Sequence, residues 1–265
     1  MSRGVAIVGY GHFGRALSEK LRASGTDVRA WDKMVEVPSG VAAATQAELL
    51  EPPGCVVLAV PVAAAGEVLT ELRPHLTEEH TVIDVGSVKL GPTAVLHQLL
   101  GEEVPWAATH PLFGPVSLSR DEAPLRAVVC PNALHPNAAL RATEMYRGLG
   151  CEVLELDAEA HDRVMAQTHA LAYFIAKGLV DAGVELDVEW APPSARAMAR
   201  TVDAMREDAA HLLQTLHLEN PFAAEARHRL LAALVAEDER LRDATAGVPA
   251  APAPAAAPPP DENAT

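Results

Sequence analysis

Seven short runs of β-branched and small apolar residues punctuate the first 156 positions: Val5–Val8, Val28–Trp31, Val56–Val60, Val82–Val85, Trp106–Thr109, Ala127–Cys130 and Glu152–Leu156. They are apolar throughout instead of alternating with polar residues. Strands of that kind need cover on both faces, the condition met inside a mostly parallel sheet. Helical stretches near residues 13–23, 62–73 and 137–148 lie between them. Strand and helix in alternation predict a doubly wound α/β domain over residues 1–156. After Asp157 the strand signals nearly vanish, and Ala-, Leu-, Met- and Glu-rich sequence runs to about Thr245. This predicts an all-helical second domain, 157–245, broken at Trp190-Ala191-Pro192-Pro193. So short a domain cannot bury all of its Ala/Leu surface alone, so it is expected to dimerise with a second copy. Residues 246–265, rich in proline and alanine, read as a disordered tail.

Charge and composition remove several functions. Asp and Glu number 36 against 21 Lys and Arg, a net charge of −15. A phosphate backbone would repel such a chain, so a nucleic-acid partner is not expected. No apolar run approaches the ~20 residues needed to span a bilayer. The N-terminus enters a strand-like run at once, so no signal peptide is expected, and the expected compartment is the cytoplasm. Cys55, Cys130 and Cys151 are widely spaced and odd in number, which suits small hydrophobes in strands better than a disulfide framework. No C-x-x-C or H-E-x-x-H occurs, and no metal is expected.

The first strand ends in G-Y-G-H-F-G, Gly9 to Gly14, and a helical pattern follows. A bare G-x-G-x-x-G is weak evidence, but strand before and helix after give it the context of a Rossmann dinucleotide site. Gly9 permits the tight turn, Gly11 lets the backbone approach a pyrophosphate, and Gly14 lets the helix pack on the strand. The start of the helix, with His12 and Phe13, offers free N–H groups and a positive dipole end to the phosphates. Asp32 closes the second strand, 23 positions after Gly9. That is where a carboxylate would hold the adenosine ribose hydroxyls and repel a 2′-phosphate. NAD is therefore expected, with Arg29 and Lys33 keeping NADP possible. Val60 and Pro61, in A-V-P-V after the third strand, are placed to line the cofactor.

Two further segments look chemical. D-V-G-S-V-K, Asp84 to Lys89, leaves a buried strand at the sheet edge where open α/β folds bind ligands, with Ser87 projecting into the cleft. T-H-P-L-F-G-P, Thr109 to Pro115, holds His110 at the end of another strand in a loop stiffened by Pro111, Gly114 and Pro115. A histidine so placed suits acid/base work.

With these segments the chain resembles the prephenate/arogenate dehydrogenases of tyrosine biosynthesis. The resemblance also takes in H-D-R-V-M-A from His161 and L-E-N-P-F-A from Leu218, and it runs in order from about residue 4 to 243. It implies an NAD-dependent oxidative decarboxylation of a cyclohexadiene, prephenate to 4-hydroxyphenylpyruvate or arogenate to tyrosine. His110 matches the catalytic histidine, which accepts the 4-hydroxyl proton. Ser87 matches the serine that hydrogen-bonds that hydroxyl and orients histidine and nicotinamide. The substrate carboxylates need a cation. Arg196 is the better match to the substrate-binding arginine and Arg200 the second, one helical turn away. His161 and Asp162 read as architectural.

One departure bears on the substrate. Many relatives carry glutamine where this chain has His169 and histidine where it has Tyr173. These two share a helix face, off a core-like stripe of Val164, Thr168, Leu171, Ile175 and Leu179, and are expected to meet the substrate. Their altered order keeps 4-amino-4-deoxyprephenate open as an alternative. A 3-hydroxyacid-type dehydrogenase would need a lysine in the helical half, where Lys177 is the only lysine after Lys89. A non-catalytic NAD(H)-responsive binding protein would need neither Ser87 nor His110.

Overall fold

A computed structural model describes residues 4–186, 188–207 and 210–245. The strands are β1 (Val5–Val8), β2 (Val28–Trp31), β3 (Cys55–Leu58), β4 (Thr81–Asp84), β5 (Trp106–Pro111), β6 (Arg126–Cys130) and β7 (Glu152–Glu155). They form one sheet in the order β2-β1-β3-β4-β5-β6-β7. Every pairing is parallel except β5 with β6, where His110 faces Val128.

The helices among the strands are α1 (His12–Ala23), α2 (Gln46–Leu50), α3 (Val62–Leu72), α4 (Leu90–Leu100), α5 (Pro115–Ser119) and α6 (Pro136–Gly148). The reason for all-apolar strands is now visible. Ile7, Val57, Ile83, Ala107 and Val129 face a core shared with Leu17 and Leu21 of α1 and Tyr146 of α6. Their neighbours Val8, Val56, Val82, Trp106 and Val128 face a second core with Leu69, Leu72, Leu96 and Leu100 of α3 and α4. Side chains alternate across the sheet, and both sides are covered. β7 is the exception: it lies at the sheet edge and is largely exposed.

Three of these helices are not apparent in the sequence. α4 begins Leu90-Gly91-Pro92, which reads as a loop. Proline is tolerated in a first turn because its missing N–H has no partner there. α5 likewise begins at Pro115.

Beyond β7 the described residues are helical: α7 (Ala158–Met165), a π turn over Ala166–Ala170, α8 (Leu171–Asp181), α9 (Pro193–Glu207), α10 (Ala210–Gln214), a second π turn over Thr215–Glu219 and α11 (Ala223–Thr245). The expected break before Pro193 separates α8 from α9. A small core of Ala166, Ala170, Tyr173, Leu216, Ala223 and Ala226 holds this part together. The stripe expected on α7 and α8 is not the buried one. Val164 is 45% exposed and Thr168 is exposed, whereas Met165, Ala166, Ala170, Tyr173 and Ala176 are buried. The buried face keeps a helical spacing through the π turn and lies one to two positions away from the expected stripe, so it is carried by small residues with Met165 and Tyr173 instead of the β-branched ones.

Two compact units are distinguished by their contacts, residues 1–226 and 227–265. The described part of the second is the remainder of α11, an exposed helix with ion pairs Arg242–Asp238 and Arg240–Glu237 along it. The tail expected over 246–265 lies outside the described residues. No described helix is long and apolar enough to cross a membrane.

Candidate active site

The switch in strand order at β1, between β2 and β3, opens a crevice at the carboxyl ends of the strands, where ligands bind in such sheets. A cleft of about 1210 Å³ runs from there to α7, the first π turn, α8 and α9 within the first unit. Gly9, Gly11, His12, Phe13, Asp32, Val60, Pro61, Ser87, His110, His169, Tyr173 and Arg200 all line it. Two expected residues do not. Gly14 lies behind the wall, and Arg196 is an exposed residue of α9 outside the lining.

The three glycines have different surroundings. Gly9 has φ +99°, and a Cβ on it would meet the Ala59 carbonyl oxygen at 2.5 Å. A Cβ on Gly14 would come within 2.0 Å of the Gly9 carbonyl oxygen. A Cβ on Gly11 would meet nothing within 4 Å. Gly11 caps α1, so the open space above it lies at a helix N-terminus whose first N–H groups need an acceptor. That is an open cradle rimmed by backbone donors.

Asp32 is held by the backbone. Its Oδ2 accepts from Tyr10 N at 2.6 Å, and its Oδ1 accepts from Met34 N at 2.7 Å and Val35 N at 2.8 Å. A carboxylate therefore stands fixed at the end of β2, on the cleft. Neither neighbouring cation is placed to offset it. Arg29 donates to the carbonyls of Glu48 and Pro52, and Lys33 bridges Glu67 (3.4 Å) and Glu71 (3.1 Å).

At the other end of the cleft the polar groups are buried. Lys89 is fully buried; its Nζ donates to Asp84 Oδ2 and, at 2.5 Å, to the Thr109 carbonyl. Thr109 Oγ1 donates to the Asp84 carbonyl at 2.7 Å and lies 2.7 Å from the Tyr146 hydroxyl. Gly86, beside Ser87, accepts no side chain cheaply, because a Cβ would meet Val62 Cγ2 at 2.8 Å. This braces the strand ends from which Ser87 and His110 reach the cleft.

His110 is 5% exposed, with Nδ1 2.8 Å from Nε2 of the wholly buried His161. His161 Nδ1 lies 2.8 Å from Asp162 Oδ1. The His169 ring is nearly parallel to that of His110, 14° and 6.3 Å away, and Tyr173 stands edge-on to His169 at 4.7 Å. Burial, then the nearby His161, His169 and Lys89, hold the His110 pKa well below the usual histidine value. A neutral imidazole on a cleft wall is equipped to accept a proton. Sequence reasoning left His161 and Asp162 as architecture; their H-D pair was visible, but its contact with a residue 51 positions away was not. Lys177, the lysine a 3-hydroxyacid-type enzyme would need, is exposed, paired with Asp181 and absent from the cleft wall.

The family described as prephenate dehydrogenase, nucleotide-binding domain, matches residues 13–153. A probable arogenate/prephenate dehydrogenase of Methanocaldococcus jannaschii is 30% identical over 141 residues, 51% of this chain and 30% of that protein. Arogenate dehydrogenase 2, chloroplastic, of Arabidopsis thaliana is 25% identical over 241 residues, 85% of this chain and 66% of that protein. The chain thus spans from under a third to just under two thirds of these relatives. Among solved structures, prephenate dehydrogenase from A. aeolicus in complex with hydroxyphenyl propionate and NAD+ shares the fold. Its TM-score is 0.71 at 21% identity, covering 92% of this chain and 93% of that one.

Two outcomes follow from the geometry. Gly11→Ala should fold with unchanged denaturation midpoint yet weaken NAD binding at least about tenfold by titration, whereas Gly14→Ala should lower the midpoint itself. Loss of stability in both variants would contradict the open cradle. The second concerns pH. Unfolded, His110 takes up a proton near pH 6.5; folded, it resists one, so the unfolded state binds more protons below that pH. The sign is that stability rises with pH through this window and is lost as pH falls. Denaturant titrations from pH 8 to pH 5 should show a smaller loss for His110→Asn than for the unaltered protein. An equal loss would mean that the ring titrates normally.

Proposed function

This chain belongs to the prephenate dehydrogenase family, and from that membership we propose that it is an NAD-dependent enzyme that oxidatively decarboxylates a prephenate-like cyclohexadiene. The observation that carries the reading is the buried His110, in contact with His161, on the wall of a cleft whose other end is the open space above Gly11. The cradle fits the cofactor: Gly11 leaves room for the pyrophosphate and Asp32 stands where the ribose hydroxyls fall. When bound, NAD supplies an acceptor for hydride. The lock on Asp32 and the engagement of Lys33 by two glutamates favour NAD over NADP, because the carboxylate would repel a 2′-phosphate and the cations beside it, Arg29 and Lys33, bond elsewhere.

The residues divide the remaining work. His110 takes the 4-hydroxyl proton, so that the oxygen's electrons assist the hydride leaving C4; as carbon dioxide departs, its bonding pair enters the ring, which becomes aromatic, and the phenolate oxygen takes the proton back from His110. Ser87 hydrogen-bonds the same hydroxyl and fixes the ring against the nicotinamide. Aromatisation makes the reaction downhill, so positioning is the larger task. Arg200, on the cleft wall, pairs with a substrate carboxylate within the subunit in this reading; Arg196 is not among the residues lining the wall. His169 and Tyr173 pack against the substrate ring. The relatives reported above are named for prephenate or arogenate, which puts a 4-hydroxyl substrate ahead of the 4-amino analogue.

A second copy completes the assembly in this reading. The helical core is small. Trp190 and Met198 are exposed in the first unit; Leu231, Leu234, Val235 and Leu241 are exposed along α11 in the second. Light scattering at micromolar concentration should give twice the 28.0 kDa chain mass; a monomer would contradict it.

The activity is tested by following NADH production from prephenate, arogenate and 4-amino-4-deoxyprephenate, each with NAD and NADP. One of the two hydroxyl substrates with NAD should turn over best. His110→Asn should lower kcat by roughly 10²–10⁴-fold with NAD binding intact. Arg200→Gln should raise KM roughly tenfold or more, and Arg196→Gln by less. Full activity in His110→Asn would remove the catalytic assignment and favour the NAD(H)-responsive binding protein.

A further inference from the structure

The donors and acceptors behind His110 form a directed chain, and its direction can be worked out from the buried end. We propose that His161 and Asp162 are positioning residues that hold His110 with its proton on Nδ1, leaving Nε2 bare on the cleft side. The catalytic meaning of this rests on the proton transfer proposed above; the tautomer itself does not.

Asp162 sets the direction. Its side chain is wholly buried, and Oδ1 accepts from Lys89 N at 2.7 Å while Oδ2 accepts from Leu90 N at 2.9 Å. Those are N–H groups at the start of α4, which have no partner within the helix and can only donate. Both carboxylate oxygens must therefore act as acceptors. The same Oδ1 lies 2.8 Å from His161 Nδ1, so Nδ1 carries a proton. A neutral imidazole has one N–H, which leaves His161 Nε2 with a lone pair. His110 Nδ1 lies 2.8 Å from that lone pair and must be the donor. With its one proton on Nδ1, the other nitrogen of His110 is an acceptor.

Two features of the surroundings leave no call for further positive charge beside Asp162. The charge on Asp162 is already met by two N–H groups and the positive end of α4. A second cation would also sit in a buried cluster that already contains the Lys89 ammonium, which Asp84 holds. The backbone of Asp162 is pinned as well. Asn220 Nδ2 donates to its carbonyl at 2.8 Å, and Phe222 N donates to Asn220 Oδ1 at 3.0 Å. In this way the L-E-N-P-F-A segment supports the base without touching it. On proton transfer the substrate O–H bond breaks, an Nε2–H bond forms, and the His110 cation stays bonded to His161 through Nδ1.

The tautomer is read directly by nitrogen-15 NMR of the ring in the unliganded full chain, with assignment by His110→Asn. The unaltered protein should show the proton on Nδ1 at pH 7.5; a proton on Nε2 would overturn the proposal. His161→Leu fills the space without accepting, and should shift the His110 proton toward Nε2. It should also lower kcat about 10²-fold with KM and NAD binding within about threefold. His161→Gln restores the pattern, because its amide oxygen can accept from His110 while its NH2 donates to Asp162, and it should recover activity to within about tenfold of the unaltered enzyme. Equal loss in both variants would make His161 a filler of space and overturn the positioning role. A proton on Nδ1 in a protein that turns over none of the three substrates would support the chain of bonds while removing the function proposed for the cleft.

Discussion

A carboxylate with no access to water has to find its hydrogen-bond donors inside the protein, and Asp162 finds three. Two are the leading N–H groups of α4, and the third is the His161 ring. This one side chain therefore ties the first helix beyond the sheet to the strand-helix turn that carries Ser87, and it points a histidine at His110. Removing it would strand buried donors at about 1–3 kcal/mol each. It would also free the imidazole pair to rotate. The orientation of the candidate base is thus a consequence of how α7 is fastened to the sheet, and the two cannot be altered independently.

The opposite end of the cleft solves a different problem. The chain carries a net charge of −15, yet the proposed cofactor and substrate are both anions. Attraction has to come from local features. The N-terminus of α1 offers N–H groups over an open Gly11, and Arg200 brings a cation to the far wall. In the proposed reading Asp32 would repel a 2′-phosphate, and its three backbone donors keep it in place. Lys33 could undo that selectivity, but Glu67 and Glu71 hold it.

Much of this was legible in the chain. Strands buried on both faces announce themselves as apolar runs, which is how the central strands stood out, whereas β7, exposed at the sheet edge, was marked by its Val153-Leu154 pair alone; the glycine fingerprint and Asp32 pointed to the end of β1 where the cleft opens. Features that depend on tertiary rotation were hidden. Arg196 and Arg200 sit one turn apart, and only the packing of α9 decides which meets the cleft. On α7 and α8 the apolar stripe through Val164 and Thr168 looked like core, yet both are exposed and the face that packs is made of Met165, Ala166, Ala170, Tyr173 and Ala176. α4 hid behind Gly91-Pro92, and with it the cap that Asp162 provides. His161 and Asp162 were visible as a pair, but the partner that gives them a role lies on another strand.

The central claim is that a neutral His110, anchored through Nδ1, faces the reacting hydroxyl beside the nicotinamide. A crystal structure of the protein with NAD and 4-hydroxyphenylpyruvate tests it most directly. The account predicts His110 Nε2 within roughly 2.6–3.2 Å of the phenolic oxygen, with Nδ1 still bonded to His161. A ring bound with its hydroxyl turned away from His110, or an imidazole that presents Nδ1 to the ligand, would contradict it.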